Sequence, residues 1–142
     1  MNQIRPIAIC VFRNQDRILV FEGYEKARDE TFYRPLGGGI EFGERSEDAL
    51  RRELMEEINA EIGGVRCLGM LENIYNFNDK PYHEIVIVYD GELIDSGLYE
   101  QVVMEGQEAN GESIRAMWKR LDEFESGESI LYPPGLLDLL RQ

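Results

Sequence analysis

Apolar positions alternate or cluster in short segments, and these segments outline a β-rich fold. Ile4 to Arg13 is rich in β-formers, Asn14-Gln15-Asp16 carries a turn signal, and Ile18 to Phe21 is a second apolar run. Together they predict a β-hairpin. Glu22 to Thr31 is charged and reads as a loop. Phe32-Tyr33-Arg34 predicts a short strand stopped by Pro35, and Leu36-Gly37-Gly38-Gly39 is too glycine-rich for a regular element. Ser46 to Ile58 has helical periodicity without Gly or Pro, with Ser46 as expected N-cap, Glu47 and Asp48 at the positive end, and Asn59 suited to a left-handed stop.

Val65 to Tyr75 and His83 to Leu93 read as strands joined by a turn at Asn78-Asp79-Lys80-Pro81, and the continuous run Ile85 to Tyr89 predicts a central strand covered on both faces. Residues 95 to 113 are acidic and contain Gly, which predicts a long irregular connection. Ile114 to Leu121 predicts a strand, Leu121 to Phe124 the start of a short helix, and Leu136 to Arg141 a last helix after the Tyr132-Pro133-Pro134-Gly135 break. The order suggests an α+β domain, one mixed sheet with helices against it, over residues 1–142.

Composition narrows the partners. The chain has 142 residues, with 15 Lys and Arg against 28 Asp and Glu, for a formal charge of −13. Such acidity argues against a broad nucleic-acid or anionic-membrane footprint. It leaves open a phosphate-bearing small molecule, because a bound divalent cation reverses the local sign. Cys10 and Cys67 stand far apart in apolar stretches and form no metal or redox pair, so two buried, reduced thiols are expected. Arg5 and Pro6 interrupt the place of a signal peptide, and no segment approaches the roughly 18 apolar residues of a membrane span. A cytoplasmic protein is expected.

The candidate chemistry lies on the first helix. At about 100° per residue, Glu53, Glu56 and Glu57 share an arc of about 100°, while Leu50, Leu54 and Ile58 form a separate core stripe. Clustered like charges destabilise an isolated helix, whereas Mg²⁺ or Mn²⁺ would convert the repulsion into binding. The alternative is a solvated acidic face. Arg52 stands beside Glu53 and four residues before Glu56, and a glycine loop leads into the helix.

Residues 38 to 60 read GGIEFGERSEDALRRELMEEINA. This segment resembles the Nudix box, G-x5-E-x7-R-E-U-x-E-E-x-G-U, with U a bulky aliphatic residue. Gly38, Glu44, Arg52, Glu53, Leu54, Glu56 and Glu57 stand at the required spacing, while Asn59 and Ala60 replace the final Gly and aliphatic positions. The resemblance implies a Nudix fold, an α/β/α sandwich with a mixed sheet between helices. It also implies a hydrolase that cleaves a nucleoside diphosphate linked to another group X, with Mg²⁺ or Mn²⁺ and a water nucleophile. Carried over, Glu53, Glu56 and Glu57 are metal ligands, Gly37 offers a backbone carbonyl to metal, Gly38 keeps the loop tight, and Arg52 orients Glu53. Glu53 is also the expected base. Some members use a glutamate from a downstream loop instead, where this chain has Glu105, Glu108 and Glu112. Glu44 is a supporting or substrate-side residue.

Further substrate contacts are sought in Arg34 and Arg28 for phosphates, in His83, and in Tyr24, Tyr33, Tyr75, Phe77, Tyr82, Trp118 and Tyr132 for base stacking. The competing function is a catalytically silent Nudix-fold module that senses a nucleotide. The small-molecule partner would be a nucleotide pyrophosphate. Homodimers are common among proteins of this resemblance, which leaves a homodimer open.

Overall fold

The computed structural model describes residues 2–108 and 110–142. In chain order the elements are β1 (Ile4–Asn14), β2 (Arg17–Glu25), β3 (Glu30–Arg34), β4 (Leu36–Gly39), α1 (Ser46–Ile58), β5 (Ile62–Phe77), β6 (Lys80–Leu93), β7 (Val103–Gln107), β8 (Ser113–Arg120), α2 (Leu121–Glu125) and α3 (Leu136–Leu140), with a 3₁₀ turn at Ser96–Tyr99. The strands run in the order β5-β6-β1-β2-β8-β7, with β4 added to β1 and β3 added to β2. β1 and β6 are parallel from Ile4 opposite His83 to Phe12 opposite Gly91. The other ladders are antiparallel.

β1 and β2 touch only at Arg13 opposite Ile18 and Asn14 opposite Arg17. Beyond that point they part. β1 pairs with β4 from Ile7 opposite Gly39 to Cys10 opposite Leu36, while β2 pairs with β3 and β8. Two half-sheets therefore splay from a short common seam. Alternation along β1 divides the core. Ala8, Cys10 and Phe12 pack with Leu50 and Leu54 of α1 on one face. Ile7, Ile9 and Val11 pack with Phe124, Leu136 and Leu140 of α2 and α3 on the other. The result is the sandwich with a mixed sheet between helices. Among the described residues no helix is long and apolar enough to cross a membrane.

Several sequence expectations are corrected by tertiary pairing. The charged stretch after Phe21 is not a loop: β2 continues to Glu25 and turns back into β3, with Gly23 opposite Phe32. The glycine run is β4. Gly37 has φ +145°, and a Cβ there would lie 2.1 Å from the Ala8 carbonyl oxygen, so absence of a side chain is what lets this strand join β1. Residues 95–113 contain the 3₁₀ turn and β7, which pairs with β8, while Ala109 of that span lies outside the described residues. The N-cap is Arg45, not Ser46, and no side chain caps it; the Ser46 hydroxyl instead meets the Tyr89 hydroxyl at 2.7 Å. Asn59 adopts the left-handed conformation, φ 53°, and Ala60 N–H returns to the Leu54 carbonyl. Cys10 is buried, but Cys67 is exposed.

Candidate active site

Helix α1 separates its apolar stripe from its acidic face. Leu50 and Leu54 are fully buried. Beside that stripe, Arg52 gathers carboxylates. Its Nε and Nη2 donate to the two oxygens of Glu44 at 2.8 and 2.9 Å, Nη1 donates to Glu53 at 3.0 Å, and Nη2 also donates to the Gly39 carbonyl at 3.0 Å. Nη1 approaches Glu56 at 3.4 Å. Such a planar fork fixes carboxylate orientation in a way a point charge cannot. Arg52, together with the Glu41 N–H, holds the Glu44 carboxyl down to about 2.

The glycine loop closes on the same carboxylates. A Cβ on Gly38 would lie 2.5 Å from the Glu53 carboxyl carbon, so any side chain there would displace it. The Gly37 N–H donates to Glu57 Oε1 at 3.1 Å. Glu57 is 4% exposed. Burial, then the charge of Glu53, pushes its pKa up to about 8, against the opposing pull of Arg34 and the Gly37 N–H. Burial also raises Glu53, opposed by Arg52. Two desolvated carboxylates that repel each other form a site short of positive charge.

A third wall comes from β7. A Cβ on Gly106 would lie 1.6 Å from the Glu57 carbonyl oxygen, so the strand packs backbone to backbone against the end of α1. From there the chain reaches Glu108 and Glu112, joined by a Glu108 N–H to Glu112 carbonyl bond of 2.8 Å. The charge of Glu108 is felt by both Glu53 and Glu57.

The splayed half-sheets enclose a cleft of about 1000 Å³, into which Glu53, Glu57, Gly37, Gly38, Glu108 and Glu112 open. Arg34 also lines it, and its charge acts on Glu57 and on Tyr75. Its guanidinium stands 5.2 Å from the Phe21 ring centre, and its Nε is buried without a hydrogen-bond partner. Beyond Arg34 the lining is aromatic. Tyr75 stacks on Tyr82 at 5.3 Å, Phe77 meets Tyr82 edge-on, and Phe32 joins Phe77 to Tyr132.

Glu56, Arg52 and Glu44 stand outside the cleft lining. Glu105 is exposed and also outside it. His83 is turned away by strand parity: its neighbours Tyr82 and Glu84 line the cleft and it does not. Tyr24 lines the cleft rim, whereas Trp118 is a core residue bonded to the Leu98 carbonyl. Sequence reasoning missed Arg5, Asn73 and Glu84, which occupy matched positions on β1, β5 and β6 and line the cleft. The period-two face shared with Tyr75 and Tyr82 is the signal that finds them.

Among the described residues, no three His, Cys, Asp or Glu side chains are grouped closely enough to enclose a metal ion. The donor set still fits a hard divalent cation. Mg²⁺ is commonly held by one or two carboxylates plus substrate phosphates and keeps several waters. Glu53 and Glu57 supply the two carboxylates, and the bare Gly38 position leaves the room beside them.

A family model described as NUDIX domain matches residues 2–135. Among solved structures, the chain resembles a NUDIX hydrolase from Nitrosomonas europaea at 18% identity and TM-score 0.68, covering 98% of this chain and 87% of the other. It resembles a MutT NUDIX hydrolase from Burkholderia pseudomallei at 19% identity and TM-score 0.66, covering 99% and 98%. An ADP compounds hydrolase matches at 17% identity and TM-score 0.64, covering 99% of this chain and 72% of that one. At these identities the likeness shows a shared fold.

Proposed function

This chain belongs to the NUDIX domain family, and we propose that it is a pyrophosphohydrolase that cleaves the pyrophosphate linkage of a nucleoside diphosphate joined to a group X, with Mg²⁺ or Mn²⁺. The observation that carries this reading is the pair Glu53 and Glu57, desolvated, crowded by glycine backbone and open to a cleft of nucleotide size. Glu53, Glu56 and Glu57 would hold the cation, Glu53 and Glu57 from inside the cleft. The Gly37 carbonyl is a further candidate ligand. A bound cation neutralises phosphate charge and acidifies water.

The chain's own residues supply the remaining steps. Arg34, whose Nε has no hydrogen-bond partner among the described residues, would face the substrate phosphates. Arg52 keeps the Glu53 carboxylate in one orientation. Glu53 accepts the proton of the attacking water, because its position is fixed from two sides. Glu108 and Glu112 close the cleft from the loop and are the competing bases. The cleft takes a small molecule, and the two unpaired thiols suit a reducing, cytoplasmic setting.

The test is a panel of nucleoside triphosphates, nucleotide sugars, ADP-ribose and dinucleoside polyphosphates, with and without Mg²⁺ or Mn²⁺, followed by product identification. Metal-dependent release of a nucleoside monophosphate or of pyrophosphate is the expected result. Nucleotide binding with no turnover under any metal would make the chain a sensor and overturn the reading.

A further inference from the structure

The aromatic end of the cleft ends on an acidic floor that the hydrolytic reading leaves unused. Glu84 is 3% exposed yet lines the cleft. The Tyr75 phenol donates to its carboxylate, and among the described residues its nearest cation is Arg5 Nη1 at 3.7 Å. Tyr75 stands close enough for its phenol to be pushed upward by burial and then by the charge of Glu84. A phenol has one donor, whereas a carboxylate has about four acceptor positions. Glu25, the other buried acid of this end, is different. Its oxygens are taken by Arg28 Nε at 2.7 Å and by the Asn78 N–H at 3.0 Å. Glu84 is therefore the buried carboxylate of this end that keeps acceptor capacity towards the cleft.

A buried, undersatisfied carboxylate is costly unless a ligand supplies donors. The surroundings limit which ligand. Tyr75, Tyr82, Phe77, Phe32 and Tyr132 offer faces and edges to a planar ring. Glu22, Glu25, Asp79 and Glu84 outnumber Arg5 and Arg28 here, which disfavours a second phosphate. Asn73, 9% exposed, is paired across the strands with Glu84 and adds an amide to the same floor. A planar group with two adjacent N–H donors satisfies all of this. Among the common bases only guanine has a ring N–H beside an amino group on its pairing edge. Adenine and cytosine place an acceptor next to their amino group, and uracil flanks its N–H with two carbonyls.

Resting on the reading of the cleft as a nucleotide site, we propose that Glu84 reads the base, accepting the paired N1–H and amino donors of a guanine-type ring that lies against the Tyr75–Tyr82 stack. Asn73 borders that edge, and Arg5 balances the charge of Glu84. The substrate class becomes guanine nucleotides.

The experiment is equilibrium binding of GMP, IMP, AMP and ribose 5-phosphate in the presence of a metal chelator, so that it does not depend on turnover. GMP is expected to bind best. IMP, which lacks the amino group, should lose roughly 10-fold, and AMP, which lacks both donors, roughly 100-fold. Glu84→Gln, checked by its melting temperature, should bring GMP within about threefold of AMP without weakening AMP. Equal affinity for the three bases, an adenine preference, or ribose 5-phosphate binding as tightly as GMP would overturn the proposal. The wild-type series stands even if the variant fails to fold. A guanine preference without metal-dependent turnover keeps this inference and defeats the hydrolytic reading; turnover with no base preference does the reverse.

Discussion

Arg52 grips Glu44 through both carboxylate oxygens, at 2.8 and 2.9 Å, while its remaining nitrogen holds Glu53 at 3.0 Å. One guanidinium thus ties the glycine loop to a cleft carboxylate. Arg52→Lys keeps the charge and loses the fork. The expected effect is a fall in kcat of about 10–100-fold with a smaller change in KM, the pattern of a lost orienting contact. Steady-state kinetics check it; a rise in KM with kcat intact would make Arg52 a substrate contact.

Glu57 gives the metal-free protein a particular pH dependence. Its pKa is raised from 4.5 to about 8, so the folded state binds more protons than the unfolded state between those values. Its contribution is complete below pH 4.5 and is lost as pH rises through 8. With chelator present, the melting temperature should fall from pH 5 to pH 8, and Glu57→Gln should flatten that slope. Added Mg²⁺ should stabilise more at pH 8 than at pH 5, because it binds the ionised form.

The identity of the base is read from a rank order. Glu53→Gln should lower kcat by about 10²–10⁴-fold at saturating metal. Glu105→Gln, Glu108→Gln and Glu112→Gln should each cost less, with Glu105 least because it lies outside the cleft lining. A Glu108 variant slower than Glu53→Gln, with metal affinity unchanged, would move the base to the loop.

Gly106→Ala should destabilise the fold by about 1–3 kcal/mol or more, because the new methyl meets the Glu57 carbonyl backbone rather than a movable side chain. Denaturant unfolding measures it.

The two thiols should separate under native conditions. Cys67 is exposed and should react rapidly with a thiol reagent. Cys10 is buried and its thiol is pushed far above the usual range by desolvation, then by the charge of Asp90, so it should react only on unfolding. Two fast thiols in the native protein would contradict the packing of β1.

Local signals made α1, the β5–β6 hairpin and the box legible, since periodicity, caps and fixed spacings are properties of neighbouring residues. Two of the missed strands share one cause. β4 forms because Gly37 can approach the Ala8 carbonyl, and β7 because Gly106 can approach the Glu57 carbonyl. Both are contacts between distant segments, and in sequence they look like breakers. The candidate site shows the same divide. The helix spacing predicts Glu53, Glu56 and Glu57 on one arc; Glu53 and Glu57 open to the cleft, while Glu56 meets Arg52 at 3.4 Å outside its lining, a contact that a helical wheel does not contain. His83 caught attention for its chemistry, whereas its neighbour Glu84 had the right strand parity.

The seam between β1 and β2 has a consequence of its own. Two rungs, at Arg13–Ile18 and Asn14–Arg17, join the half-sheets directly. At the opposite end Glu25 accepts from the Asn78 N–H, Asn78 Oδ1 accepts from the Ala27 N–H, and Phe32 meets Phe77, so the cleft lies between two bridged ends. A nucleotide touching α1 and the Tyr75–Tyr82 wall on one side and Arg34 on the other would act as a non-covalent rivet between the half-sheets, midway between those ends. Its grip would register as slower amide exchange in the rungs at Ile18 and Arg17, far from any atom it touches.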